Sequence, residues 1–481
     1  MPMFRRNRAN VRDGAVALLT AAALFGLPAI MAQQALDVDS AQNPFQGSVI
    51  TGQAEAGTLS LTLPDAIERG LRANLGLLLS GEETKAANGV RWQALSRLLP
   101  QVNGSVSGSQ QELDLQAMVG PNTLPPTIPP IPSPFHVFDA RLSVSAPLLN
   151  LSDLASTRAA THQLSASRFT YQQARDTVVL AVGNAYLMAI AGQAQVQAAT
   201  AERDTAQALY QLAKDRENSG LNPQIDTLRA LVEWKTQQEN LLAAENMYGT
   251  EKLNLARAIG LPDGQEFELA TEVSYKPLPS QAVDEAVAQA LPHRGDYQAA
   301  RAEVVTAEAQ VRAARAERYP SVGVQANWGQ IGTGGFTDGH QTYLVAGSVK
   351  VPLFQGGRVH GAIETAQARL RQAQNKLANL KEQIDYDVRT ALLNLQTNAN
   401  QIDVAKTNKA LAAQTLDQSR DRFASGVTNN VEVVQAQQAV AQADEVYIAS
   451  LYRYNVSKLN LAHAMGVAEQ KGLNYLGEKQ P

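Results

Sequence analysis

The chain has 481 residues, of which 44% are hydrophobic, 18% charged and only 5% aromatic, and its formal charge is −4. That balance excludes a disordered chain and a polytopic helical membrane protein, while the abundant alanine suits helices packed closely along their length. There is no cysteine, which excludes disulfides, thiolate metal sites, a cysteine nucleophile and the lipid-modified cysteine of a bacterial lipoprotein.

Arg5, Arg6, Arg8 and Arg12 precede an apolar run from Ala15 to Ala32. Basic residues followed by such a run predict a secretory signal peptide over 1–32, cut after Ala32, with an uncleaved anchor as the alternative. The residues after Arg5-Arg6 do not fit a twin-arginine signal. Cleavage removes four arginines and Asp13, so the mature chain carries −7. No basic patch for nucleic acid follows. No later stretch is expected to supply the ~20 apolar residues of a membrane-spanning helix, so any crossing of a membrane must use strands.

The rest of the chain is written twice. KLNLARAIGL at 252–261 returns as KLNLAHAMGV at 458–467, a shift of 206 residues. The same shift carries Ser219-Gly220-Leu221 onto Ser425-Gly426-Val427, Asp226 onto Glu432, Ala230 onto Ala436 and Ala185 onto Ala391. Upstream, 66–100 answers 286–320 with a shift of 220, the difference falling in the inter-strand loops.

In chain order, an irregular segment at 33–60 leads into the first repeat, 61–261. It opens with a helix over 64–99, between Pro64 and Pro100. Strands at about 101–110 and 137–148 flank a proline-laden loop at 121–134. In the second strand Phe138, Ala140, Leu142, Val144, Ala146 and Leu148 share one face, and Asp139, Arg141, Ser143 and Ser145 the other. A long helix at about 152–217 turns at Ser219-Gly220 into a returning helix over 223–259.

A linker at 262–281 joins the halves. The second repeat, 282–467, has a helix over 282–318, strands at about 321–330 and 342–353 around a glycine-rich loop, a long helix at about 359–424 and a returning helix over 430–465. A tail at 468–481 ends the chain. In the long helix Ile363, Leu370, Leu377 and Ile384 recur every seventh residue, and the seam slips by one near Val388 before Leu395 and Ile402. About 65 helical residues at 1.5 Å each make ~100 Å, longer than a globular domain requires.

Strands of ~10 residues fit a bilayer, yet known single-chain membrane barrels begin at eight strands and an open edge in lipid leaves backbone groups unpaired. Two, three or four chains must share one barrel. The fold class is thus mainly α with a membrane β-barrel, the helices too long and polar for the bilayer. A barrel open to water and continuous with a helical wall is a passive conduit.

The doubled order of helix, strand pair, long helix, Ser-Gly turn and returning helix carries local motifs as well. They are Pro352-Leu353-Phe354-Gln355-Gly356-Gly357, the two Ser-Gly-hydrophobic turns and the two Lys-Leu-Asn-Leu-Ala repeat ends. Together, over about 61–467, they resemble the TolC family of outer-membrane efflux proteins. The resemblance implies a homotrimer whose protomers each give four strands to a twelve-stranded barrel, with a periplasmic α-helical barrel of ~100 Å below it. It also implies a passive duct of a tripartite efflux or type I secretion system, in outer-membrane lipid, with a periplasmic adaptor and an inner-membrane pump as partners. Neither enzymatic activity nor a cofactor is expected. The rival class, a periplasmic coiled-coil adaptor, needs compact β domains flanking one hairpin, whereas two hairpins stand here.

By the same resemblance, Ser219, Gly220, Leu221, Ser425, Gly426 and Val427 contact the adaptor; each glycine also reads as an ordinary left-handed helix end. Asp226, Glu432 and Gln435 fall at the constricted periplasmic entrance. Three copies would place six carboxylates around the mouth, favouring cations. The alternative is an acid stabilised by its own helix dipole. Thr428 stands where relatives often carry a bridging arginine. Trp328 reads as an interfacial girdle residue or as a packed tryptophan. Gly332-Thr333-Gly334-Gly335 has no helix after it and is a hairpin loop, not a phosphate cradle. The six histidines have no ligand spacing, and no nucleophile motif occurs.

Overall fold

The computed structural model describes residues 43–477 apart from 51, 55, 56, 113–133, 222, 271–274, 280, 334–337 and 429. The signal peptide and nearly all of the proline-laden loop therefore lie outside the described residues, as does the middle of the glycine-rich loop.

β1 (Leu59–Leu61), α1 (Leu63–Ala73), α2 (Leu75–Ser96), β2 (Gln101–Gln111) and β3 (Phe135–Leu149) lead to the first long hairpin, α3 (Leu151–Asn218) and α4 (Gln224–Ile259). After β4 (Phe267–Leu269) come α5 (Val283–His293), α6 (Gly295–Ala316), β5 (Ser321–Gly332) and β6 (His340–Lys350). The second hairpin is α7 (Arg358–Ala424) with α8 (Asn430–Ala464), and α9 (Ala468–Leu476) follows. α3 has 68 residues and α7 has 67, each ~100 Å of helix. α3 begins where Asn150 accepts the backbone N–H groups of Ser152 and Asp153, supplying two donors that a helix start leaves orphaned.

The helices expected over 64–99 and 282–318 are each broken once, at positions related by the 220-residue shift. Asn74 leaves the helical region with φ −62° and ψ 127°, and Arg294 does so with φ −63° and ψ 112°. The two breaks are satisfied differently. The buried Asn74 carboxamide caps α2 through the Leu77 N–H and donates to the Phe45 carbonyl at 2.7 Å. The buried Arg294 guanidinium instead donates to Asp296 at 2.6 Å and 2.9 Å and to the Ala464 carbonyl at 3.2 Å. Apolar residues on both sides of Asn74 hide its break, whereas Pro292 and Gly295 on either side of Arg294 are break signals that the helix expected over 282–318 runs across.

Three segments expected to be irregular contain short elements. β1, from 33–60, pairs in parallel with β4, from the linker. The tail forms α9 after the left-handed Gly466. One composition estimate is also corrected. α3 holds an 18-residue window of mean hydropathy 1.4, apolar enough by length and composition to cross a membrane. The apolarity has a packing cause, because Val178, Val179, Val182, Tyr186 and Leu187 of α3 lie buried in the largest core cluster.

The four longer strands form one antiparallel sheet in the order β2-β3-β5-β6. Register places Val102, Val144, Ala326 and Val345 in one row, and Gly104, Leu142, Trp328 and Tyr343 in the next. The adjacent row on the opposite face is Ser105, Arg141, Gly329 and Thr342. One face is thus apolar and aromatic and the other largely polar. β2 and β6 remain as open edges among the described residues.

The main core sits at the equator, where β1, β4, α1, α3, α4, α8 and α9 meet. Tyr186 is fully buried there and donates its hydroxyl to the Leu61 carbonyl at 2.9 Å. Towards the hairpin tips the core thins to Leu209, Leu416, Phe423, Val433 and Ala436.

Candidate functional site

Both hairpins reverse through the same turn. α3 ends at Ser219 and Gly220, where the Leu221 N–H returns to the Arg216 carbonyl at 2.8 Å and the Gly220 N–H to that of Glu217 at 2.9 Å. α7 ends at Ser425 and Gly426 with the Val427 N–H on Arg422 at 2.9 Å and the Gly426 N–H on Phe423 at 3.0 Å. Glycine is required, since φ is +70° at Gly220 and +73° at Gly426. Ser219 and Ser425 each add a hydroxyl bond to the carbonyl four residues back. The turns hold Leu221 and Val427 outward, 73% and 70% exposed.

The two tips are laced together by Arg216. Its guanidinium donates to the Phe423 and Ala424 carbonyls at 2.8 Å and 2.7 Å, and lies over the Phe423 ring at 4.8 Å. A cation on the C-terminal carbonyls of a helix also meets the negative end of its dipole.

The three entrance candidates have different surroundings. Asp226 is buried in the first turn of α4, with Arg229 at 3.5 Å on the same helix. Glu432 accepts the Thr428 hydroxyl and has Arg422 at 3.5 Å. Gln435 is exposed on α8. Thr428 thus touches Glu432 directly, while the arginine beside Glu432 comes from four residues before the glycine. Arg216 and Arg422 escaped the sequence reading. A signal was present, because both occupy the last turn of a long helix and the 206-residue shift relates them.

Further along the hairpins, Glu202, Gln237, Gln437 and Asp444 line a cleft. Burial, with Asp444, Glu445 and Glu233 nearby, pushes the Glu202 carboxyl up to about 7, and Lys409 acts in the opposite sense. Lys409 pairs with Asp444 at 2.9 Å. Among the described residues no group of three or more histidines or carboxylates is placed to hold a metal ion.

A sheet with two open edges, an apolar face and two long helical hairpins defines the protomer of an envelope channel. The comparisons agree. The family model for outer membrane efflux proteins matches residues 80–261 and 286–467, so both repeats are covered. The pyoverdine export outer membrane protein OpmQ of Pseudomonas putida is 26% identical over 319 residues, 64% of this chain and 66% of that protein. Outer membrane protein TolC of Escherichia coli is 22% identical over 344 residues, 67% and 69% of the two chains. In structure, VceC of Vibrio cholerae superposes with a TM-score of 0.72 at 22% identity, covering 84% of this chain and 96% of that one. The CmeC channel of Campylobacter jejuni gives 0.72 at 17% identity, covering 89% and 92%.

The chain belongs to the outer membrane efflux protein family, the TolC family. It is an outer-membrane efflux channel protein, and the adaptor class is set aside.

Proposed function

We propose that three copies of this chain form one passive duct from the periplasm to the outside, with a twelve-stranded barrel above an α-helical barrel. The carrying observation is the four-stranded sheet whose edges, β2 and β6, each leave 11 residues open. In lipid such edges must be paired, and identical chains can pair them edge to edge around an axis. Three copies bring the strand number to twelve, within the range of membrane barrels.

At the other end, Leu221 and Val427 dock a periplasmic adaptor, whose inner-membrane pump supplies the energy. Asp226, Glu432 and Gln435 narrow the mouth between them, and the ring of carboxylates favours cations. One relative is named for pyoverdine export and another, AprF, for alkaline protease secretion. Cargo so diverse fits a duct that leaves selection to its pump.

The test is a double variant, Leu221→Asp with Val427→Asp, expressed in cells that lack the wild-type chain. The expected result is normal outer-membrane assembly with at least tenfold loss of export. Full export would remove the tips from the adaptor contact. In planar bilayers, Asp226→Asn with Glu432→Gln should lower the cation preference; an unchanged preference would remove the carboxylates from the mouth.

A further inference from the structure

The contacts joining the two halves of one chain supply a template for contacts between chains. Several polar contacts run from α3 to the second half of the chain. Ser152 reaches the Ala313 carbonyl at 3.1 Å and Gln173 meets His463 at 3.3 Å, and three others serve as the template. Arg175 on α3 holds Glu469 of α9 through two bonds, at 2.8 Å and 2.5 Å. Its neighbour Asp176 accepts the Glu469 backbone N–H at 2.8 Å. Near the tip, Arg216 binds the Phe423 and Ala424 carbonyls.

The 206-residue shift moves Arg175-Asp176 onto Lys381-Glu382 and Arg216 onto Arg422, keeping the sign of every charge. Moved back by the same shift, Glu469 falls on Asp263, and Phe423 and Ala424 fall on Glu217 and Asn218. For these three contacts the donors and the acceptors are therefore both present a second time, whereas His463, which meets Gln173, is replaced by Arg257.

Local geometry agrees. Each acid is the third residue after a left-handed glycine, Gly260 at φ +69° or Gly466 at φ +68°. Behind them the Leu261 N–H reaches the Ala256 carbonyl at 3.0 Å, and the Val467 N–H that of Ala462 at 2.9 Å. Val178 and Val182 on α3 are fully buried, as are their equivalents Ile384 and Val388 on α7. The helices are thus turned alike, and Lys381-Glu382 leaves α7 on the side from which Arg175-Asp176 leaves α3. Yet Lys381, Glu382 and Asp263 are exposed and share no ion pair among the described residues. Arg422 is exposed too, with Glu432 at 3.5 Å as its ion partner. The sheet follows the same logic: β3 against β5 joins the halves, and the repeat of that pairing is β6 against β2 of another chain.

We infer that Lys381, Glu382 and Arg422 on α7 dock a second copy of this chain: Lys381 on its Asp263 carboxylate, Glu382 on its Asp263 backbone N–H, and Arg422 on its Glu217 and Asn218 carbonyls. This rests on the reading that several copies share one barrel. The apolar seat beside these groups is not repeated. A Cβ on Gly183 would meet the Leu459 side chain at 2.6 Å, whereas the equivalent of Gly183 is Arg389, already paired with Asp284 and Asp385. Charge therefore carries the docking between chains where apolar packing assists it within one chain.

The lack of native cysteine makes the test direct. Lys381→Cys with Asp263→Cys, oxidised in the detergent-extracted particle, should give covalent multimers on a non-reducing gel; either single variant should not. Arg175→Cys with Glu469→Cys is the control and should cross-link within one chain. Independently, Lys381→Asp should lower the temperature at which the multimer dissociates, and adding Asp263→Lys should restore it. A multi-chain particle with neither cross-link nor restoration would overturn this contact and leave the shared barrel standing. A cross-link confined within single chains would also overturn it. A single-chain wild-type particle by native mass would remove the shared-barrel reading as well.

Discussion

The long hairpins have two ends, and one turn serves both. At the equator and at the tips alike, a left-handed glycine closes a helix and the next residue returns its N–H to the carbonyl five residues back. In all four turns that next residue is apolar. At the equator Leu261 and Val467 are 4% and 3% exposed; at the tips Leu221 and Val427 are 73% and 70% exposed. Turn chemistry cannot explain the difference, because it is shared. What differs is the neighbourhood, a packed core at one end and water at the other. An apolar residue contributes ~1.5–3 kcal/mol only when it is covered, so Leu221 and Val427 add little to the stability of the chain by themselves, consistent with the docking role proposed for them.

The largest effect should come from the equatorial glycines. A Cβ on Gly466 would meet the Arg294 nitrogen and the His293 carbonyl carbon at 2.7 Å, both backbone atoms that cannot swing aside. Gly466→Ala adds that clash to the left-handed penalty of about 1–2 kcal/mol. Thermal melting followed by circular dichroism should show a loss of about 3 kcal/mol or more. Nothing lies within 4 Å of a Cβ at Gly220, so Gly220→Ala should show about 1–2 kcal/mol from backbone strain alone. Equal losses at the two sites would break the comparison.

Next in size is the residue after the glycine. Leu261→Ala should cost about 2–4 kcal/mol as a large-to-small change in a core. Leu221→Ala should stay within about 0.5 kcal/mol in melts of the protein without its adaptor. A destabilising Leu221→Ala would mean that the tip is packed after all.

A smaller effect sharpens the picture between the two ends. The Glu202 carboxyl is raised from 4.5 to about 7. The folded state therefore holds its proton more tightly than the unfolded state does, and stability falls as pH rises through that interval. Glu202→Gln should flatten this fall, raising the melting temperature at pH 8 relative to wild type and changing it little at pH 4. A variant whose melting shift is the same at both pH values would contradict the assignment.

Much of the fold was legible because it was written twice. The 206-residue shift aligned long helix with long helix, and period-two alternation marked the strands. The equator was hidden for physical reasons. Three-residue strands such as β1 and β4 are too short to show a period, and the Asn74 break is held by the Phe45 carbonyl, 29 residues away. The Arg294 break, by contrast, was marked by Pro292 and Gly295. At the tips the glycines were readable from the turn itself, and the exposure of Leu221 and Val427 from their place beyond it. The lacing by Arg216 was not, since its acceptors lie 207 and 208 residues away. Internal repetition reveals equivalent residues, but a single chain's sequence does not say which of them meet.

The central claim is that the open-edged sheet is completed by other copies of this chain. Its most direct test is the native mass of protein extracted by detergent from the outer-membrane fraction. The account predicts a particle of three chains that needs detergent to stay in solution. A water-soluble monomer would contradict it, and the four strands would then have to be a periplasmic β domain.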